Sequence, residues 1–178
     1  MKKYLKFPKN LSKKKKIKFF KDLNLYKYLN NKNTKIISPD LNDLYRLYQF
    51  IILNKRTTVL EFGSGWSSLV MAHALKKNHQ KYKKKIKSLR RNNPFEIFIV
   101  ENQKKYLEIT KKRNNKIMGK SKLINYFHSK CRMIKFSDKY FATEYFKLPL
   151  VNPDFIYLDG PDQFQIKGTI NNFSTRHT

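Results

Sequence analysis

The chain has 178 residues, enough for one domain with a core of its own. Hydrophobic residues make up 40% of it, which excludes a disordered chain. The 40 Lys and Arg against 12 Asp and Glu give a formal net charge of +28. That charge points either to a polyanionic partner or to the Lys-, Asn-, Ile-, Tyr- and Phe-rich composition that an A/T-rich genome imposes, and it does not bear on fold or reaction.

In chain order, residues 1–18 are lysine-rich, with a run from Lys13 to Lys16, and read as a solvated arm leading into a short helix over residues 17–29. Phe19, Phe20, Leu23, Tyr26 and Leu29 recur there mostly every third residue. Residues 30–35 are a polar break. Ser38-Pro39-Asp40 is a helix start, with Ser38 as cap, Pro39 in the first helical position and Asp40 at the positive end of the dipole. Leu41, Leu44, Tyr45, Leu47, Tyr48, Ile51 and Ile52 then give residues 39–54 a wide apolar face. The helix runs into Thr57-Thr-Val-Leu-Glu61, a short strand ending in a carboxylate.

Gly63 and Gly65 follow, and the turn they make is expected to admit a ligand close to the backbone. Ser67 or Ser68 is expected to cap the next helix, over residues 68–77, with Trp66 packing beside it. Residues 76–93 are basic and read as a loop or an exposed helical excursion, with His73 and His79 on or beyond the helix surface. Residues 96–101 form a second strand, apolar through its middle and ending in Glu101. A helix over 103–115 should turn Tyr106, Leu107 and Ile109 inward. A weaker third strand covers 122–128. Residues 131–150 are aromatic, with one short helix expected near 138–146. The aromatic stretch 126–145 is read as core packing rather than as a surface for stacking bases. Pro153 introduces a fourth strand over 154–159, ending in Asp159 and stopped by Gly160-Pro161. Alternating strands and helices imply an α/β fold: a three-layer parallel sheet of about four strands with helices on both faces and an N-terminal helical extension.

The glycine turn narrows the ligand. A dinucleotide fingerprint would place a third glycine where Ser68 stands, and no Gly-Lys-Ser/Thr is present. A turn without the phosphate-binding features suits a ligand with an ammonium and a ribose, held by acidic residues at two strand ends, Glu61 and Glu101.

Here the sequence resembles the class I S-adenosylmethionine-dependent methyltransferases. The resemblance rests on Val-Leu-Glu61-Phe-Gly63-Ser-Gly65-Trp-Ser-Ser, Phe-Ile-Val-Glu101-Asn102 and Phe-Ile-Tyr-Leu-Asp159-Gly160-Pro161, and covers residues 39–173. It implies a Rossmann-like cofactor-binding domain over 38–178 after a basic arm and helix over 1–37. By the resemblance, Gly63, Ser64 and Gly65 line the methionine part of S-adenosylmethionine, with Glu61 near its ammonium. Glu101 and Asn102 take the ribose, His128 and Ser129 lie near the adenine, and Asp159 is the catalytic residue beside the methyl group.

Two departures are evident. Glu61 and Glu101 are 40 residues apart, about double the ~20 residues usual for such a unit. The family's later strands have no counterpart, so the domain is expected to be C-terminally incomplete, with residues 168–178 holding only the start of a helix and the fourth strand an edge open to self-association.

The first reading is therefore a methyltransferase acting on a small molecule or on nucleic acid. The alternatives are a basic nucleic-acid-binding protein on a degenerate α/β domain and a nicotinamide-dependent enzyme, which Ser68 disfavours. No metal is expected: His128 and Cys131 are a pair only, and Asp162 beside Asp159 completes no set. A single cysteine, no leader and no membrane-length apolar run make the expectation cytoplasmic, without a membrane partner.

Overall fold

The structure is a computed structural model that describes residues 4–30, 38–88, 91–135, 137, 140–161, 166, 169–170 and 173–174. It is a mixed α/β fold built on a four-stranded parallel sheet in the order β3-β2-β1-β6, with β1 at Thr58–Phe62, β2 at Glu96–Glu101, β3 at Ile124–His128 and β6 at Phe155–Leu158. The chain steps outward from β1 to β2 to β3, then returns to place β6 on the other side of β1. The strand order thus reverses between β1 and β6, the place where open parallel sheets hold ligands.

Strand alternation sorts the core. Val59, Ile97 and Ile99 point to one face, where they meet Phe20 of α1 (Lys13–Asp22), Leu29 of α2 (Tyr26–Leu29), Leu44 and Ile51 of α3 (Leu41–Leu53), Leu69 and Leu75 of α4 (Trp66–Ile86) and Leu107 of α5 (Lys104–Met118). Leu60, Phe98 and Val100 point to the other face and pack with Phe62, Phe127, Tyr145 and Val151. Among the described residues no helix contributes to this second face. Paired with Leu60 and Phe62, the β6 residues Ile156 and Leu158 lie on it with 54% and 72% of their surface exposed.

Several local expectations are corrected. The lysine run is the first turn of α1, and Lys16 is buried, donating to Asn10 Oδ1 and Asn42 Oδ1. The expected single helix over 17–29 breaks after Asp22, where Asn24 takes a positive φ of 58°. Asp40, not Ser38, caps α3: its Oδ1 accepts from Asn42 N at 2.6 Å. The basic stretch is the exposed helical excursion rather than the loop: it continues α4 as far as Ile86, so only the helix bounds change, to twice the expected length. Tyr106 is exposed rather than inward, while Leu107 is buried.

The helix expected near 138–146 is instead a hairpin, β4 (Cys131–Lys135) against β5 (Phe141–Tyr145), closed by Arg132 Nε and Glu144 Oε2 at 2.8 Å; residues 136, 138 and 139 lie outside the described residues. Part of the aromatic stretch packs as expected, with Phe127 6.1 Å from Phe98 and Tyr145 5.1 Å from Phe62, whereas Tyr140 is exposed. Where a helix start was expected after residue 168, Thr169–Ile170 (β7) pairs antiparallel with Phe173–Ser174 (β8). Arg90 and Asp162 lie outside the described residues. Among the described residues, no helix is long and apolar enough to cross a membrane.

Candidate functional site

The carboxyl ends of β1, β2 and β6 open onto a cavity of about 440 Å³, within the range of small-molecule sites. Its floor is the turn after β1, Gly63-Ser64-Gly65, continued by Trp66 and Ser67 of α4. Glu101, Asn102 and Gln103 close one side, Tyr157, Asp159, Gly160 and Pro161 the other. The start of α3 forms the outer wall, with Asp40, Asp43, Leu44 and Leu47.

The turn is fixed by backbone chemistry. Gly63 has φ +96°, and its N–H donates to Val100 O at 2.8 Å. A Cβ there would stand 2.9 Å from the Asp159 carbonyl carbon, and one on Gly160 would stand 2.9 Å from Gly63 Cα. The two glycines therefore let β1 and β6 approach at their ends, which brings Asp159 to the cavity. Asp159 N donates to Phe62 O at 2.8 Å. Gly65 has an extended φ of −171°, and Ser68 Oγ accepts from its N–H at 3.1 Å. Ser68 thus acts from inside the helix rather than as the expected cap residue, which is Gly65.

Glu101 is held from two sides. Ser64 Oγ donates to its Oε2 at 2.7 Å and Gln103 N to its Oε1 at 2.9 Å. Glu61 points the opposite way from Leu60, into the helix-covered core, and is completely buried. Ser67 Oγ donates to its Oε1 at 2.5 Å, and Oε2 makes no hydrogen bond of good geometry. Burial pushes its carboxyl up to about 8, against the Ser67 hydrogen bond and with the Asp159 charge adding to the rise. At neutral pH Glu61 is mostly a neutral acid. Arg113, whose guanidinium carbon lies 4.2 Å over the Trp66 ring, is brought down to about 10, first by burial. Asp159 is raised above its usual value, first by burial and further by Asp43, and its neighbour Tyr157 is raised to about 12, first by burial.

Of the residues singled out from sequence, Gly63, Ser64, Gly65, Glu101, Asn102 and Asp159 converge on the cavity. Glu61, His128 and Ser129 are not in its wall. Glu61 stands behind Ser67. His128 is exposed, with Nε2 3.2 Å from Asn102 O. Ser129 is buried, where its N–H donates to Glu101 O and its hydroxyl accepts from Lys147 N at 2.9 Å, so it braces the end of β2. Asp40, Asp43, Tyr106 and Tyr157 were missed. The sequence marks Asp40 only as a partner for the helix dipole and Tyr106 only as a core residue. Tyr157 stands two residues before the strand-end acid Asp159 and Tyr106 five after Glu101, in the first turn of α5, while Asp40 and Asp43 come from the start of α3.

One property of the wall stands out against the composition. Asp40, Asp43, Glu101 and Asp159 line the cavity, yet among the described residues no Lys, Arg or His does, in a chain with 40 Lys and Arg. The cavity suits a ligand bearing positive charge and hydroxyl groups. Among the described residues no group of three His, Cys, Asp or Glu could hold a metal ion. No family model, curated protein or solved structure matches this chain.

Proposed function

We propose that this cavity binds S-adenosylmethionine and that the protein is a methyltransferase on a Rossmann-like, three-layer domain, the β4–β5 hairpin and the segment through Val151 standing where a second helical layer would. The observation that carries the reading is the acid-lined, base-free cavity at the reversal of strand order, floored by a glycine turn. S-adenosylmethionine carries a sulfonium and an ammonium, and both are stabilised by carboxylates in a partly desolvated cleft. When bound, the cofactor supplies a methyl group activated by its positive sulfur.

The chain's own residues divide the rest of the work. Glu101, with both oxygens already fixed by Ser64 and Gln103, keeps acceptor capacity for a ribose diol. Gly63, Ser64 and Gly65 leave room for the methionine portion, and the Ser67 hydroxyl links this floor to Glu61. Tyr106, exposed at the cavity edge beside Gln103, offers a ring on the adenine side that His128 and Ser129 do not. Asp159, with its raised proton affinity, accepts the proton that an acceptor hydroxyl or amine gives up as it is methylated. Positioning supplies most of the remaining rate.

Isothermal titration with S-adenosylmethionine and S-adenosylhomocysteine tests the reading. The wild type should bind both, and Glu101→Ala should bind each at least about ten-fold more weakly, as expected for the loss of one charged hydrogen-bonding group. No heat from either ligand with the folded wild type would sink the proposal.

A further inference from the structure

The second charged feature of the molecule lies away from this cavity, on the last three turns of α4. Between Glu61 and Glu96 the chain has no acidic residue. Along 76–87 the helix turns Asn78 and Ile86 inward, with Tyr82 half-buried between them. Asn78 Nδ2 donates to Ile51 O at 3.1 Å and to Arg56 O at 2.8 Å, which pins this part of α4 to the end of α3. All the other positions facing water are basic or neutral polar: Lys76, Lys77, Gln80, Lys81, Lys83, Lys84, Lys85 and Lys87. None of these lysines takes part in an ion pair among the described residues. A groove of about 640 Å³ runs between α3 and α4, lined by Tyr48, Ile52 and Leu53 of α3 and by Lys55, Lys77, Lys81 and Tyr82, with no acidic residue. Lys55 Nζ and Lys81 Nζ stand 5.7 Å and 5.5 Å from the Tyr82 ring centroid, so two ammonium groups flank one aromatic ring.

We propose that this groove and the lysine face of α4 are a docking surface for the phosphate backbone of a nucleic-acid strand, bound without sequence preference. Charge complementarity identifies the occupant. The exposed positions of α4 hold no apolar residue to enter a lipid interface, and the groove's apolar and aromatic residues are buried (Tyr48) or half-buried (Ile52, Leu53, Tyr82) rather than exposed. Lys77, Lys81 and Lys85 follow one another at four-residue intervals, about 6 Å apart along the axis, a ladder of point charges suited to a repeating anion. Lysine ammonium groups recognise charge rather than bidentate geometry, so the expected binding is steeply salt-dependent. This inference stands independently of the methyltransferase reading.

The test is fluorescence anisotropy with a labelled single-stranded RNA of mixed sequence, titrated from about 50 to about 200 mM salt. Three proteins are compared: the wild type, the triple variant Lys77→Gln/Lys81→Gln/Lys85→Gln, and the control Lys13→Gln/Lys14→Gln/Lys15→Gln, which removes the same charge from α1. Each lost phosphate contact lowers the salt slope by about 0.7, so the α4 variant should lose about 2 from its slope and about 100-fold in affinity near 0.1 M salt. The control should stay within about three-fold of the wild type, since salt screens exposed charges that do not contact the strand. All six substituted lysines are exposed, so both variants should fold, and unchanged melting curves check this. The proposal is overturned if the wild type does not bind, if both variants weaken equally, or if poly-glutamate of matched charge binds as tightly as the RNA.

Discussion

Replacing Glu61 by Gln should make the protein less sensitive to alkali, and the size of the effect follows from the site. The carboxyl has a native pKa of about 8 against an ordinary 4.5, first because it is buried. Between those values the folded protein holds a proton that the unfolded chain has released, so stability falls as pH rises, by up to ~1.4 kcal/mol per pH unit. The penalty is absent below about pH 4.5 and complete above about pH 8, where it reaches at most about 5 kcal/mol. Gln keeps the shape and can still accept from Ser67 Oγ, but carries no proton to lose. His73, brought down to about 4 mainly by burial, acts in the opposite direction, since its neutral form is favoured in the fold and stability rises as pH climbs from about 4 to 6.5. Because that contribution is common to both proteins, it cancels in the difference. Urea unfolding of wild type and Glu61→Gln from pH 5 to pH 8 should therefore show the two free energies diverging, with the variant gaining by several kcal/mol at the upper end. Parallel profiles would refute the buried neutral acid. A variant less stable than the wild type at neutral pH would show instead that Glu61 is a carboxylate held by Arg113.

Three further outcomes follow. Gly63→Ala should cost at least about 2 kcal/mol in urea unfolding, combining a positive φ with a Cβ 2.9 Å from the Asp159 backbone. Gly65→Ala, at an extended φ with only Ser67 Oγ nearby at 3.7 Å, should cost less than about 1 kcal/mol. Asp154→Ala should lower stability by about 2–4 kcal/mol, because Asp154 accepts from the buried Thr57 and Thr58 N–H groups at 3.0 Å and would leave both unpaired. Once a methyl acceptor is in hand, Asp159→Asn should lower kcat by about 10²–10⁴ while leaving the dissociation constant for S-adenosylhomocysteine within about three-fold.

The parts of the fold that were legible were those with a local physical signature. Glu96–Glu101 is a strand whose apolar middle is buried on both faces, and its bounds coincide with the expectation. Leu44, Tyr45, Tyr48 and Ile51 bury the face that their period marked on α3. The length of α4 was hidden because lysines contribute helix propensity without an apolar stripe; only Asn78, Tyr82 and Ile86, spaced four apart, marked the inner side. The β4–β5 hairpin was hidden for a different reason. Phe141, Thr143 and Tyr145 alternate as a strand should, and Arg132 faces Glu144, but no tight-turn dipeptide joins the two runs. In the site, the strand-end acids were legible because the residue type and the turn were adjacent in sequence. The direction of Glu61 was not, since it depends on which face of β1 the helices cover. Nor was the contribution of Asp40 and Asp43, which reach the cavity from a helix whose entry angle only the packed core determines.

The two charged ends of the molecule can be separated by salt. Trp66 borders the cavity and Lys77, Lys81 and Lys85 follow on the same helix, so at 1.5 Å per residue they lie about 17–29 Å along it from the cavity. That is about two to more than three screening lengths at physiological ionic strength but no more than about one at 0.01 M. A cation entering the cavity at physiological salt therefore responds to Asp40, Asp43, Glu101 and Asp159, and only weakly to the lysines of α4. At low salt the lysines of α4 reach it and oppose its binding. The triple variant at Lys77, Lys81 and Lys85 should accordingly bind S-adenosylmethionine as the wild type does near 0.15 M salt and more tightly near 0.01 M, measured by titration calorimetry at both. An equal gain at both salt concentrations would mean that the lysines act on the cavity at close range, through its shape rather than through the field.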